Sequence, residues 1–443
     1  MSNNSSFLKN SIMNFGSNIL TIIFGLMVTI IIARSLGVEG QGIFTVITLL
    51  PTILVTFMNF GIAPATVFFI GSDRYSMNTI FSTNIILSGV ISLFAIVLGT
   101  IAVFLFKSTF FDEISISMLL SVLLVLPFLF FNSFLQAVYQ GTQNFKRFNA
   151  INLSSKFVQV IILLVILSIF KLSLLWALIS FIIGSILPTV FIVIYLFKDS
   201  VRFKFSEFSV DLTKNSVKYG YKAHLSNIVT FFNYRLDIIL ISFFLNPVAV
   251  GIYNVAVSIS ERLWIFSQPV ASALFPKISS MTDENERNKL TARTAKCVFY
   301  LSLFFGIFFW FLSDDVVFIL FGINYMEASM VIRILMIGIT LFSIEKILSS
   351  DISGRGKPQV NLYTSLFTII CNVILSIIFI PKLGIKGAAM ATSITYSLTF
   401  LIKLIIYIKI TKSKLKHILI INIDDIEYII NLITKLIRRM RKI

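Results

Sequence analysis

Ionisable side chains set inside long apolar stretches are the residues of this sequence best placed to do chemistry. Lys156, Lys222, His224, Arg235, Asp237, Glu261, Arg262, Arg333, Glu345, Lys346 and Lys403 all fall in runs rich in Ile, Leu, Phe and Val. A charge at membrane depth costs at least about 2.5 kcal/mol, so it faces a partner or a wet cavity. Lys222, His224, Lys346 and Lys403 sit near the ends of their runs, where a long side chain snorkels to the interface. Arg235, Asp237, Glu261 and Arg262 lie deeper, on two runs that turn near Pro247 and so bring all four to similar depth. Two readings stay open for them. Arg235 pairs with Glu261, or Asp237 with Arg262, in a structural network; alternatively the cations wall a cavity for an anionic ligand. Arg grips phosphate oxygens bidentately and Lys acts as a point charge. The candidate ligand-binding set is therefore Arg235, Arg262, Lys156 and Arg34, the last at the end of the first run. Asp237, Glu261 and Glu345 are candidates for carrying a coupling H⁺ or Na⁺, or for structural pairing. Asn132, Gln136, Tyr139, Asn152, Gln159, Asn227, Asn233, Tyr253 and Asn254 add hydrogen-bonding capacity suited to sugar hydroxyls or to neighbouring helices.

The elements that must hold these residues follow from composition. Of 443 residues 57% are hydrophobic and only 13% charged, against roughly 25% charged in soluble domains. Apolar runs of about 20 residues, enough to cross a ~30 Å hydrocarbon core, fall near 12–34, 43–71, 77–106, 115–141, 148–170 and 173–197. Six more fall near 217–245, 249–276, 291–313, 327–352, 358–381 and 385–410. The expected fold is an all-α membrane protein of about 12 spans. Loops after even-numbered spans carry 13 Lys and Arg and those after odd-numbered spans carry 5, which places the even loops and both termini in the cytoplasm. The net charge of +17 is spread over short loops and a tail, so it speaks for anionic lipid and against nucleic acid. The first run, Phe15 to Ala33, is long enough to span and lacks a small-residue cleavage site. Cys297 and Cys371 sit in apolar stretches and are assigned to packing.

The two halves repeat. Ala33 to Phe44 matches Ser242 to Tyr253: each has a Leu six residues before a Gly, followed by Ile and an aromatic. Gln140-Gly141 through Asn149 resembles Ser353-Gly354 through Asn361, and Lys171 with Ala177 matches Lys382 with Ala388. The expected organisation is a six-helix lobe over 1–197, a basic cytoplasmic linker over 198–216, a second lobe over 217–410 and a basic tail over 411–443. Six spans per half give both halves one orientation, with a cavity between them. In the tail, Ile429, Ile430, Ile433, Leu436, Ile437 and Met440 recur at helical spacing opposite Lys435, Arg438, Arg439, Arg441 and Lys442. That pattern predicts an amphipathic helix lying on the inner leaflet, with a docking helix for a partner as the alternative.

No Walker loop, no His/Cys metal spacing and no nucleophile-plus-base pattern occurs in the sequence, so neither an enzyme nor a bound cofactor or metal is expected. Several motifs carry a family resemblance: Ala33-Arg-Ser-Leu-Gly37 through Gly42, Asp237 through Tyr253 with Glu261, Leu274-Phe-Pro276, Gly354-Arg-Gly-Lys-Pro358, and Pro381 through Ala389. Their order resembles the Wzx-type O-antigen or capsule repeat-unit flippases of the multidrug/oligosaccharidyl-lipid/polysaccharide exporter superfamily. The resemblance implies a bacterial inner-membrane protein that moves undecaprenyl-diphosphate-linked oligosaccharide outward by alternating access. It also implies that the first and seventh spans line the cavity, that transport is often ion-coupled, and that a polysaccharide polymerase and a chain-length regulator act alongside. Carried onto this chain, the family's cationic cavity falls on Lys156, Arg235 and Arg262. A multidrug/cation antiporter of the same superfamily is the alternative, opposed by the excess of buried cations. A membrane polysaccharide polymerase ranks last, because no large extracytoplasmic loop is present.

Overall fold

The computed structural model describes residues 2–169, 173–199, 201–420 and Asn422. The amphipathic pattern over 426–443 and the match of Lys171 to Lys382 lie outside the described residues. The first helices are α1 (Ser2–Met58), α2 (Ile62–Gly71), α3 (Met77–Leu105), α4 (Lys107–Phe110), α5 (Ile116–Leu123), α6 (Leu126–Gly141), α7 (Phe145–Ile169) and α8 (Leu174–Lys198). There follow α9 (Val210–Phe244), α10 (Pro247–Ser260), α11 (Gln268–Ser280), α12 (Glu284–Phe311) and α13 (Ser313–Phe321). The last are α14 (Glu327–Gly354), α15 (Pro358–Leu383), α16 (Ile385–Thr411) and α17 (Leu415–Leu419). No strand occurs among the described residues.

Local chemistry sets the boundaries. Ser76, Ser115 and Ser209 each accept a hydrogen bond from the backbone N–H three residues on, opening α3, α5 and α9, and Asp283 does the same for α12. These side chains satisfy first-turn donors that a helix leaves without partners. The Ser209 cap starts α9 at Val210, earlier than the expected 217. The stretch before it is strapped to α3. The backbone N–H groups of Arg202, Lys204 and Ser209 donate to Asn78 Oδ1, Ser82 Oγ and Thr83 Oγ1, and Thr79 donates to Glu207.

Ten helical segments among the described residues are long and apolar enough to cross a bilayer, against the twelve expected. The first two expected spans run together in Gly16–Met58. One residue breaks that stretch: Gly37, at φ 71° and ψ −173°, a conformation open to glycine at little cost. The expected tenth span lies on α14, with Arg333, Glu345 and Lys346 inside it. Leu93, Phe94, Phe304 and Phe311 are each more than 60% exposed. Continuous apolar surface of this kind is sustained by acyl chains rather than water, and the chain is a multi-pass membrane protein.

The chain forms two compact units. One comprises Met1–Ser258, Val317–Ser329 and Ile380–Ile385; the other comprises Ile259–Val316, Met330–Phe379 and Lys386–Ile443. In the first, Phe81, Leu135, Tyr139, Ile192 and Leu196 form a core where α3, α6 and α8 meet. The repeat-matched glycines touch here: a Cβ at Gly42 would stand 1.7 Å from the Pro247 carbonyl oxygen, and one at Gly251 2.1 Å from that of Val38. In the second unit, Leu274, Ile344, Leu348, Phe400, Leu404 and Tyr407 pack together. A polar seam holds α15 to α16, with Thr368 bonded to Thr399 at 2.6 Å and Asn372 to Thr395 at 3.2 Å.

Cys297 is exposed, which corrects its assignment to packing, while Cys371 is half-buried. An apolar neighbourhood in sequence does not separate a core face from a lipid face, because both select the same residues.

Candidate functional site

The first unit holds Arg34, Lys156, Arg235 and Asp237. Asp237 is 6% exposed, and its carboxylate accepts from the Ile238 N–H at 2.9 Å and the Tyr253 hydroxyl at 2.6 Å. Tyr253 is fully buried, so this bond locks α10 onto α9 and commits the tyrosine to the carboxylate rather than to a sugar. A buried carboxylate requires such donors, since desolvation without them costs several kcal/mol. Arg235, two positions away, projects about 200° around the helix from Asp237. It is half-buried and donates to the Tyr234 carbonyl at 3.0 Å. Lys156 is half-buried on α7, 3.3 Å from Gln159 Oε1. Arg34 donates to the carbonyls of Ile319 and Leu320. Those groups close α13, and a guanidinium there satisfies end carbonyls and the negative helix terminus.

The second unit holds Glu261, Arg262 and Glu345. The expected continuous eighth span is broken at Glu261–Ile265, a 3₁₀ turn between α10 and α11. That turn carries both charged residues and Trp264. Tight turns inside a spanning helix mark functional hinges or strain. Lys346 lies 4.3 Å from the Trp264 ring centroid and 5.3 Å from that of Phe342, and donates to Gln268 Oε1 at 3.2 Å. Phe342 in turn stacks on Tyr396 at 4.3 Å. The ammonium that sequence position assigned to snorkelling is thus held over aromatic faces by cation–π attraction.

Lys403 departs further from that expectation. It is 1% exposed, donates to Asn361 Oδ1 and stands 3.5 Å from Glu345 Oε1. Glu345 also accepts from the Ser349 hydroxyl, and Asn361 donates to the Ser349 carbonyl and the Ser353 hydroxyl. The ion pair therefore sits inside a polar network spanning α14, α15 and α16. A lysine surrounded by three helices has no path for its stem to the interface, so pairing replaces snorkelling. A second network closes the same unit: Arg355 bridges Asp351, Glu284 and Asn288, and buried Asp351 accepts from Thr291 at 2.5 Å. No group of metal-ligating side chains occurs among the described residues.

Sequence reading left Asn361 and Trp264 out of the candidate set and gave Lys403 to the interface rather than to a buried pair with Glu345. Lys403 and Asn361 are joined only by helix packing. The Trp264 signal was present, an aromatic beside two charges, but its meaning depended on the turn.

A family model described as a polysaccharide biosynthesis protein matches residues 7–282. A relative in Haloferax volcanii, named as the low-salt glycan biosynthesis flippase Agl15, is 29% identical over 204 residues, covering 43% of each chain. The capsular polysaccharide biosynthesis protein CapF of Staphylococcus aureus is 27% identical over 149 residues, 33% of this chain and 37% of CapF. This chain thus spans less than half the length of those two relatives. An O-antigen transporter of Shigella flexneri is 22% identical over 404 residues, 88% of this chain and 94% of that protein. Among solved structures, an inward-facing multidrug-resistance transporter of the MATE family superposes with TM-score 0.78 at 15% identity, covering 88% of this chain and 94% of that one. The lipid II flippase MurJ in an inward closed conformation superposes with TM-score 0.75 at 19% identity, covering 93% and 89%. Both share the fold.

Proposed function

The chain belongs to the polysaccharide biosynthesis protein family, and from that premise we propose that it is a flippase for lipid-linked oligosaccharide. The observation that carries the reading is the family match over 7–282 in a multi-pass helical chain, together with an alignment that runs through 94% of an O-antigen transporter. Undecaprenyl diphosphate is the proposed carrier and the cytoplasmic membrane the proposed location, with both termini on the cytoplasmic side.

The physical problem is a sugar-diphosphate headgroup that hydrocarbon does not solvate. In the first unit Arg235 supplies guanidinium donors for the diphosphate and Lys156 a point charge, while the prenyl tail stays in lipid; in the second unit Arg262 is the candidate guanidinium. No bond is made or broken. Arg34, already holding the α13 carbonyls, keeps a positioning role. The Glu345–Lys403 pair is the proposed site of ion coupling: a proton taken by the carboxylate would release the lysine from a partner it needs when buried.

Deleting the gene in its host should abolish the surface polysaccharide, and re-expression should restore it. Complementation with Arg235→Ala should fail at unchanged protein level. Normal surface polysaccharide in the deletion strain would remove the flippase reading, and normal polysaccharide in the variant would remove Arg235 from the site.

A further inference from the structure

At the end of the first unit that carries the connections over 72–76, 142–144 and 201–209, a cavity of about 470 Å³ lies between α3, α6, α7 and α8. That is within the ~300–1,000 Å³ typical of small-ligand sites. Tyr139 lines it and is 2% exposed; its hydroxyl makes no hydrogen bond of ordinary geometry among the described residues, and the Arg147 guanidinium is its electrostatic neighbour. A buried hydroxyl left so costs about 1–3 kcal/mol unless something fills the site.

The other lining groups present donors. Asn78 Oδ1 is occupied by the Arg202 N–H at 3.2 Å and Asn144 Oδ1 by the Arg147 N–H at 3.3 Å, which leaves their amide N–H groups. Thr142 has already given its proton to the Val138 carbonyl. Arg147 pairs with Asp199 and lies 5.1 Å from the Tyr195 ring centroid and 5.8 Å from that of Tyr139. Asp199 is the one carboxylate lining the cavity. Exposed Lys146, Lys198 and Arg202 are sequence neighbours of lining residues, so the local balance is positive.

The same stretch alternates these cations with exposed Phe197, Phe203 and Phe205. Aromatic and basic residues interleaved beside apolar spans lie at headgroup depth.

We propose that this cavity binds a phosphate ester anion, with Tyr139, Asn78 and Asn144 donating to its oxygens and Arg147 shared between it and Asp199. The ligand is an anionic phospholipid headgroup or a soluble phosphate ester. The site is separate from the residues assigned to the transported diphosphate.

The test uses the full chain, purified and returned to nanodiscs, with thermal stability as the readout. One arm compares dioleoylphosphatidylglycerol with dioleoylphosphatidylcholine; the other adds glycerol 1-phosphate to phosphatidylcholine discs. Phosphatidylglycerol should raise the melting temperature of the wild type. Tyr139→Phe removes a hydroxyl without an ordinary hydrogen bond, so it should fold at least as well in phosphatidylcholine yet weaken the response to the anion about tenfold in apparent affinity. Arg147→Gln should weaken it further, and Asp199→Asn should strengthen it by removing the competing carboxylate. A response to glycerol 1-phosphate equal to that to the lipid keeps the site and assigns it to a soluble ester. Equal responses of wild type and Tyr139→Phe to both anions, or no preference over phosphatidylcholine, would overturn the proposal.

Discussion

At the scale of the residue, the described structure turns several membrane charges into satisfied groups. Lys403 and Glu345 are both under 10% exposed and share Asn361 and Ser349 as neutral partners. Removing one member of a buried pair strands the other charge, typically at about 3–5 kcal/mol, whereas replacing both with apolar groups is often neutral. Lys403→Met alone should therefore lower the thermal stability of the purified protein sharply, and the Lys403→Met/Glu345→Leu double variant should recover most of it. An unchanged melting temperature in the single variant would show that the pair carries no stability. The deep charges Arg235, Asp237, Glu261, Arg262 and Glu345 were legible in the sequence, because a charge amid apolar residues stands out. Their partners were less so: Tyr253 lies 16 positions from Asp237, and Lys403 lies 58 positions from Glu345.

At the scale of the element, the repeat acquires structural content. The turn after α6 and the turn after α14 use the same hydrogen bonds: the N–H groups of Gln143 and Gly356 reach back three residues, and those of Asn144 and Lys357 reach back five. Both central residues have positive φ, 57° and 79°. Arg147 lies over Tyr195 and Arg355 over Tyr407, two tyrosines 212 positions apart. The other matched segments meet at Gly42 and Gly251, where backbones approach too closely for a side chain. Gly251→Val should therefore abolish accumulation of folded protein, its Cβ colliding with the Val38 carbonyl oxygen. Gly25→Ala, on the same α1 but with nothing within 4 Å, should leave expression unchanged. Equal expression of the two variants would contradict the contact. The glycine match was visible as a repeat, but one-dimensional similarity does not say that matched segments touch.

At the scale of the whole molecule, the proposed orientation rests on loop charge and is open to direct test. In a background lacking Cys297 and Cys371, Asp73→Cys and Lys357→Cys should resist a membrane-impermeant thiol reagent applied to intact cells. Glu113→Cys and Lys382→Cys should react. The reverse pattern would invert the topology. Both native cysteines need replacing, since Cys297 is exposed and Cys371 half-buried. The sequence by itself determined the all-helical membrane class, most span boundaries and the charges worth examining. These depend on local hydropathy, loop charge and spacing, which a chain carries without folding. Only the tertiary structure decided that α1 bends at Gly37, that the eighth span breaks at Glu261, that Lys403 is buried against Glu345, and that Cys297 faces outward. Each of those depends on which helices become neighbours. In a chain whose lipid-facing and core-facing surfaces draw on the same apolar residues, packing makes that choice.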